Sequence, residues 1–458
     1  MIDADCTRDL ISLLGTENVL THSNELLAYS YDGQPVSAMP DAMVLASSAE
    51  EVASVVMLAK ARSIPLVARG AGSGMTGGSI PERGGIVLNL ERMNRILRIS
   101  GEDRIGYVQP GVVTGVFQEE AARYGLFYPP EPASAKFSTI GGNVAESAGG
   151  LGCVKYGLTK QFVAGLEFVT ASGEIVRTGI YTDRDSPFDV SAVITGSEGT
   201  LGIVTEIALR LIPLPESRIT VLALFRSLPD AARASNAVLS SGSGPSVLEF
   251  MDGRCIDTVR GYVTVPIPED TGALLIIELE GDEDYITEGH RLVLDVLSRS
   301  NPIEVRSASS EKERNELWKL RKSLSPAIAQ IAPLKFNEDV CVPISRIPDL
   351  CTYIENLGKE RNVMVVSFGH SGDGNIHVNF MTDWRRPDEV KRVKQSVEDL
   401  FREVVRLGGT LSGEHGIGIA KRPYLTIALD KATINFEKKI KRAFDPDNIL
   451  NPGKIFPE

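Results

Sequence analysis

Residues 65–91, PLVARGAGSGMTGGSIPERGGIVLNLE, carry a complete G-x-G-x-x-G at Gly72, Gly74 and Gly77, directly after an apolar, strand-like run. In a nicotinamide-dinucleotide fold this fingerprint opens a helix whose N-terminus faces the pyrophosphate, and an acid near the end of the next strand holds the ribose. Glu91 stands where that acid would be. The helix itself has no room to form. Only SIPERGG separates the glycines from the next strand-like run, IVLNL, and Pro81 with Gly84 and Gly85 opposes helical backbone there. The loop must put its amides to another use, which leaves an NAD-dependent dehydrogenase as the weakest reading.

Two further glycine-dense clusters follow, STIGGNVAESAGGLG (138–152) and TGSEGTLGIV (195–204). Glycine lets backbone approach a ligand closely and take positive φ, so consecutive N–H groups can converge on an anion without a helix. One cluster would suit an ordinary turn. Three in one stretch of chain point to a phosphate-bearing cofactor, with the loop at 70–74 as its anion nest.

At 458 residues the chain exceeds one ordinary core, so two or three domains are expected. With 43% hydrophobic and 24% charged residues it has the composition of a packed globular protein. A net charge of −12 with no basic stripe argues against nucleic acid as a partner. No apolar run reaches the ~18–20 residues of a membrane span, and the N-terminal MIDADCTRDLISLLG is acidic where a secretory signal is basic. A cytoplasmic protein with no transmembrane segment is expected. The five cysteines (Cys6, Cys153, Cys255, Cys341, Cys351) form no C-x-x-C, which suits a reducing compartment and offers no iron–sulfur cluster.

DAMVLASSAEEVASVVMLAKARSIPLVARG reads strand, helix, strand, with Ser48 as N-cap, Glu51 at its capping-box position and Pro65 opening the second strand. Strands are also expected at IVLNL, IGYVQP, VAGLEFVTASGEIV (a hairpin turning at Ser172–Gly173) and GIVTEIALRLIP, with a helix at VTGVFQEEAARYG. RLIPLPESR, with Pro213 and Pro215, reads as a boundary. Beyond it, strands near ITVLALF, ALLIIELEG and NVMVVSFG alternate with helices near 228–241, 285–300, 309–330, 345–360 and 386–407, as in an α+β domain built on a mainly antiparallel sheet. The expected division is a helical lead over 1–37, a cofactor domain over 38–215, a substrate domain over 216–410 and a returning segment over 411–458.

Three of the five histidines fall in two short motifs, GHSGDGNIHVNF (His370, His377) and SGEHGIG (His415). SGDGN is a tight-turn sequence, so His370 and His377 sit at the facing ends of two strand-like segments and can converge on one point. Glu414 can add a carboxylate. Two imidazoles and a carboxylate make a divalent-metal site with positions open for substrate oxygens, and the spacing does not select zinc over manganese, iron or cobalt.

The motifs PLVARGAGSGMTGGS, STIGGNVAESAGG, KYGLTKQFVAGLEFVTASGEIV and TGSEGTLGIV resemble the FAD domain of the vanillyl-alcohol oxidase/MurB-type flavoproteins. The second half is similar to the FAD-linked oxidase C-terminal domain. Within that family the motifs most resemble D subunits of glycolate oxidases, D-lactate dehydrogenases and D-2-hydroxyglutarate dehydrogenases. The resemblance implies an α+β fold: a two-subdomain PCMH-type FAD-binding domain, an α+β substrate (cap) domain with a mainly antiparallel sheet, and a C-terminal helical return. It implies a pyrophosphate held by Gly70, Ala71, Gly72, Ser73, Gly74, Met75, Gly78 and Ser79. Pro132, Ser138, Thr139, Gly142, Asn143, Ala145, Gly149 and Gly150 would line the isoalloxazine and ribityl chain, Gly202 and Ile203 would meet the adenine, and Asn451 would contact the flavin. With no His in the first loop and Cys153 just past the flavin-lining stretch, it implies non-covalent FAD.

The same resemblance makes His370, His377 and Glu414 metal ligands, His415 the catalytic base and Arg321 the grip on a substrate carboxylate. Lys335, Asn379 and Ser325, which stands where some relatives carry Thr, become further substrate contacts. The implied reaction is oxidation of a D-2-hydroxy acid to the 2-oxo acid, with hydride passing to flavin N5. Electrons would leave to a partner: other glycolate oxidase subunits, an electron-transfer flavoprotein or a quinone. A homodimer, and a place at the membrane periphery through such a partner, are compatible with it. The alternative is a flavin-carrying subunit without catalysis of its own, against which the intact set of His370, His377, Glu414 and His415 argues.

Overall fold

A computed structural model describes residues 2–182, 187–308 and 310–457. The chain divides into two units: residues 1–150 with 158–214 and 414–458, and residues 151–157 with 215–413.

The first unit holds two sheets. Val19–Leu20 (β1), Ala42–Leu45 (β2), Leu66–Arg69 (β3) and Ile86–Asn89 (β4) form the first in the order β1-β2-β4-β3, parallel from β2 through β3. The helix Ala49–Ala61 packs Val52, Val55, Val56 and Ala59 on Val44, Leu66, Ile86 and Leu88. Its cap departs slightly from the expected capping box. Ser48 Oγ accepts from Glu51 N (3.2 Å), but the Glu51 carboxylate reaches back to Ser47 N (2.7 Å), one residue before the cap. As expected, residues 70–85 contain no helix, yet β3 and β4 pair in parallel across this irregular crossover.

Ile96–Ser100 (β5), Ile105–Val108 (β6), Val163–Val169 (β8), Ile175–Arg177 (β9) and Ile203–Arg210 (β10) form an antiparallel sheet, β5-β6-β10-β8-β9, beside a short ribbon of Leu126–Phe127 (β7) and Ile212–Pro213 (β11). The β8–β9 hairpin turns where expected, with Gly173 N–H bonded to Thr170 O (3.0 Å). Two sheets in the first unit, and a C-terminal stretch that belongs to it, match the architecture that the resemblance implied. In that return the helix Lys431–Phe444 buries Lys441, whose Nζ donates to Thr200 O (2.7 Å) and Leu450 O (2.9 Å).

The second unit is one seven-stranded sheet: Ser217–Phe225 (β12), Val247–Asp252 (β13), Ala273–Gly281 (β14), Glu304–Ser307 (β15), Leu334–Cys341 (β16), Met364–His370 (β17) and Asn375–Thr382 (β18), in the order β15-β12-β14-β13-β17-β18-β16. Every pairing is antiparallel. The strands β13, β15 and β16 and the helix Gly253–Val259 add to the elements read from sequence. The helix expected over 309–330 begins at Glu311 and breaks at Ser323 into Glu311–Lys322 and Leu324–Ile328; Ser309 lies outside the described residues. These two helices and Gly253–Val259 cover one face through Trp318, Leu320, Leu324 and Ile256 packed on Leu222, Leu274, Ile276 and Val366.

Candidate functional site

In the first unit Arg69, which precedes the loop 70–79, ties the loop's far end at Ser79 to the chain at Tyr31. Its buried guanidinium donates to Tyr31 O (2.8 Å) and Ser79 Oγ (3.2 Å). Gly72 takes φ +65°, the left-handed conformation around which the N–H groups of a nest converge. Gly70 is required for a different reason, since a Cβ there would lie 2.2 Å from Thr139 Oγ1. Thr139 caps the helix Ile140–Glu146, accepting from Gly142 N (3.3 Å). Ser138 and Asn143 are tied into the protein through Thr114: Thr114 Oγ1 donates to Ser138 O (3.1 Å), and Asn143 Nδ2 donates to Thr114 Oγ1 (2.9 Å). These side chains shape the cradle.

The third glycine cluster lies on the second. Gly196 N donates to Val144 O and Glu198 N to Ala145 O, both at 2.8 Å. Asn451 joins clusters one and three, with Nδ2 donating to Gly78 O (2.9 Å) and Glu198 O (2.7 Å). Its Oδ1 is buried and has no hydrogen-bond partner among the described residues, as is Ser147 Oγ. Close-approach backbone with buried polar atoms lacking partners fits a dinucleotide. Pro132, Gly149 and Gly150 sit together, where a Cβ on Gly150 would lie 3.0 Å from Pro132 N. Gly202 leads into β10, whose first residue, Ile203, pairs with Val169.

His415 belongs to this unit. Its carbonyl accepts from Thr76 Oγ1 (3.0 Å), and the following amides of Ile417 and Gly418 both donate to the Glu198 carboxylate at 2.7 Å. Burial raises the Glu198 carboxyl despite those two donors. The segment after the HGIG histidine is therefore held by side chains in a region without regular secondary structure.

In the second unit the turn at 371–374 joins β17 to β18. His370 pairs across the ladder with Asn375, and His377 with Phe368, so the two imidazoles meet diagonally. Their Nε2 atoms are 3.4 Å apart and the rings stand at 86°. Two imidazoles on a tetrahedral ion with ~2.0–2.1 Å bonds have their nitrogens about 3.3–3.4 Å apart. On β13, Glu249 lies opposite His370 and is fully buried. One of its oxygens bonds His370 Nδ1 and the other takes Arg321 Nε (2.6 Å). Burial pushes the Glu249 carboxyl up, and the neighbouring His370 and Arg321 outweigh it, holding the group at about 2.

Arg321, on the helix Glu311–Lys322, is buried and stacks 4.5 Å from the centroid of Phe368. Register places Asn337 opposite Asn379 and Lys335 opposite Met381. Asn379 donates to Val366 O (3.2 Å), while the Oδ1 atoms of Asn337 and Asn379 are buried and lack partners among the described residues. Burial lowers the Lys335 amine. Ser325 is exposed on Leu324–Ile328. Glu414 follows Gly413, whose N–H donates to Asp339 (2.9 Å) opposite His377.

Arg69, Glu198, Glu249 and Asn337 were not singled out from the sequence. Glu249 carries the clearest signal in retrospect: a lone acid inside the apolar run VLEFM must be buried with partners if that run is a core strand.

Residues 40–179 match the family pattern described as FAD binding domain, and residues 214–455 that of the FAD linked oxidases, C-terminal domain. The chain is 38% identical to glycolate oxidase subunit GlcD of Bacillus subtilis over 100% of its own length and 97% of that protein's. It is 35% identical to a D-lactate dehydrogenase of Anaerostipes hadrus, covering 91% of this chain and 90% of that one. The fold superposes on 4-ethylphenol oxidase from Gulosibacter chungangensis with a TM-score of 0.81 at 20% identity, over 99% of this chain and 97% of the other. A helix-free glycine cradle, two matched domain patterns and full-length relatives converge, and the chain belongs to the FAD-linked oxidase family as an FAD-dependent oxidoreductase.

Proposed function

We propose that the chain oxidises a small D-2-hydroxy acid, such as D-lactate or glycolate, to the 2-oxo acid, with FAD bound non-covalently and a divalent cation held by His370, His377 and Glu414. The observation that carries this reading is the buried imidazole pair, Nε2 to Nε2 at 3.4 Å, with His370 sharing Glu249 with Arg321. Glycolate and D-lactate, named in the two relatives, are both 2-hydroxy acids.

When bound, FAD supplies a two-electron acceptor. Gly70, Ala71, Gly72, Ser73, Gly74, Met75, Gly78 and Ser79 would hold its pyrophosphate, and no His or Cys lies in residues 69–79 to attach it covalently. Arg321, its Nε occupied by Glu249, keeps its Nη groups for the substrate carboxylate. Lys335, Asn379 and Ser325 complete the substrate contacts. His370, His377 and Glu414 offer two nitrogens and a carboxylate oxygen, a donor set for zinc, manganese, iron or cobalt. A cation there contributes Lewis-acid polarisation of the hydroxyl. His415 accepts the hydroxyl proton as general base. Electrons leave to a partner, either other subunits of a glycolate oxidase, an electron-transfer flavoprotein or a quinone.

Chelation tests the cation. Metal-stripped protein is expected to keep its FAD but to lose flavin reduction by D-lactate, and to regain it when one of these metals is restored. Full activity at zero metal content would remove the cation from the site.

A further inference from the structure

Glu249 has two oxygens and gives one to each half of the proposed substrate site. Its burial is complete, and it lies on β13 directly opposite His370. A carboxylate only accepts hydrogen bonds, so His370 must present Nδ1–H to it. The ring's remaining lone pair then sits on Nε2, the atom 3.4 Å from His377 Nε2.

We propose that Glu249 is a positioning residue that fixes the metal-ligating tautomer of His370 and the orientation of Arg321 together, so that cation affinity and carboxylate affinity depend on one buried group. The proposal rests on reading His370 and His377 as ligands and Arg321 as the carboxylate grip. A glutamine cannot replace it. His370 and Arg321 bond different oxygens of Glu249, so an amide oxygen in place of one leaves the amide nitrogen facing the other. Facing Arg321, it opposes one donor with another. Facing His370, it stabilises the Nδ1 lone pair and moves the proton to Nε2, the ligating atom.

A second buried acid on the same sheet supplies the comparison. Glu278 accepts from Arg314 Nε (2.9 Å), Trp318 Nε1 (2.8 Å) and Thr220 Oγ1 (2.8 Å). Losing it disturbs a buried ion pair without touching His370. FAD-loaded, metal-stripped protein is titrated with Co²⁺ alone, comparing wild type with Glu249→Gln, Glu278→Gln and His377→Ala. Glu249→Gln is expected to raise the Co²⁺ Kd ~10- to 100-fold, the usual effect of removing an outer-shell partner. It should also raise KM for D-lactate. His377→Ala should lose the site, and Glu278→Gln should bind Co²⁺ as wild type does. In protein with ¹⁵N-labelled histidines, the His370 ring should show Nδ1–H in wild type and a changed tautomer in Glu249→Gln.

Equal Kd values for wild type and Glu249→Gln overturn the proposal, as does an equal loss in Glu278→Gln, which would make the effect one of general destabilisation. If wild type and His377→Ala bind Co²⁺ alike, the ligand reading fails and takes this proposal with it. Should Glu249→Gln not fold, Glu249→Asp keeps the charge but withdraws it by one methylene. A smaller rise in Kd is then expected, and none would overturn the proposal.

Discussion

At Arg321 and His415 the account separates binding from proton transfer. Arg321 bonds Glu249 through Nε, and in the proposed reading its Nη groups take a carboxylate, two demands that a planar guanidinium can satisfy at once and an ammonium cannot. Arg321→Lys should raise KM for D-lactate by roughly 10- to 100-fold, the equivalent of about 1.5–3 kcal/mol for hydrogen bonds to charged groups. Its rate of flavin reduction at saturating substrate should fall less. His415→Asn keeps polarity and approximate size but cannot take the proton, and should slow flavin reduction ~10²- to 10⁴-fold with a smaller change in KM. Anaerobic stopped-flow reduction reads both. A wild-type rate in His415→Asn would remove it as the base, and an unchanged KM in Arg321→Lys would remove the carboxylate grip. The histidines were legible in the sequence because they are few and fall in turn-flanked motifs. Glu249 was not, because its importance comes from β13 lying beside β17, a pairing between residues far apart in the chain.

Among the elements, those carrying their own signals were read correctly: Ser48 before Ala49–Ala61, the Ser172–Gly173 turn, and the absence of a helix between β3 and β4. The strand β16, LKFNEDVC, was not named because Lys335, Asn337, Glu338 and Asp339 hide the apolar alternation of a strand. The C-terminal return over 411–458 was expected, but what holds it was not. It is tied to the rest of its unit by backbone bonds, Leu66 N to Ile449 O (2.8 Å) and Asn451 N to Leu66 O (2.7 Å), and by side-chain bonds such as Asn451 to Gly78 and Lys454 Nζ to Ile80 O (2.6 Å). Burial pushes Lys454 down to about 8 from the ordinary 10.5, against the pull of Glu82, Glu198 and Asp32. Between those two values the unfolded chain binds more protons at this lysine than the folded one, so its contribution to stability rises with pH across the window. The thermal midpoint of wild type relative to Lys454→Met should therefore increase from about pH 8 to about pH 10. A difference independent of pH would mean that Lys454 titrates normally in the folded protein.

At the scale of the whole molecule, a cradle for FAD belongs to one unit, while His370, His377, Arg321 and Glu249 belong to the other. Matched patterns over residues 40–179 and 214–455 cover both. The glycine fingerprint that suggested NAD lies in an irregular crossover between parallel strands, with no helix after it. The claim that unites the two units is oxidation of a D-2-hydroxy acid by the bound flavin, and it can be read without any electron acceptor. Purified protein, made anaerobic, is mixed with D-lactate, L-lactate or NADH while the visible flavin absorbance is followed. The account predicts rapid bleaching by D-lactate, with pyruvate formed in equal amount to the FAD reduced, and little or none by the other two. Flavin that stays oxidised with D-lactate and with glycolate, in protein whose metal content has been verified, would contradict it.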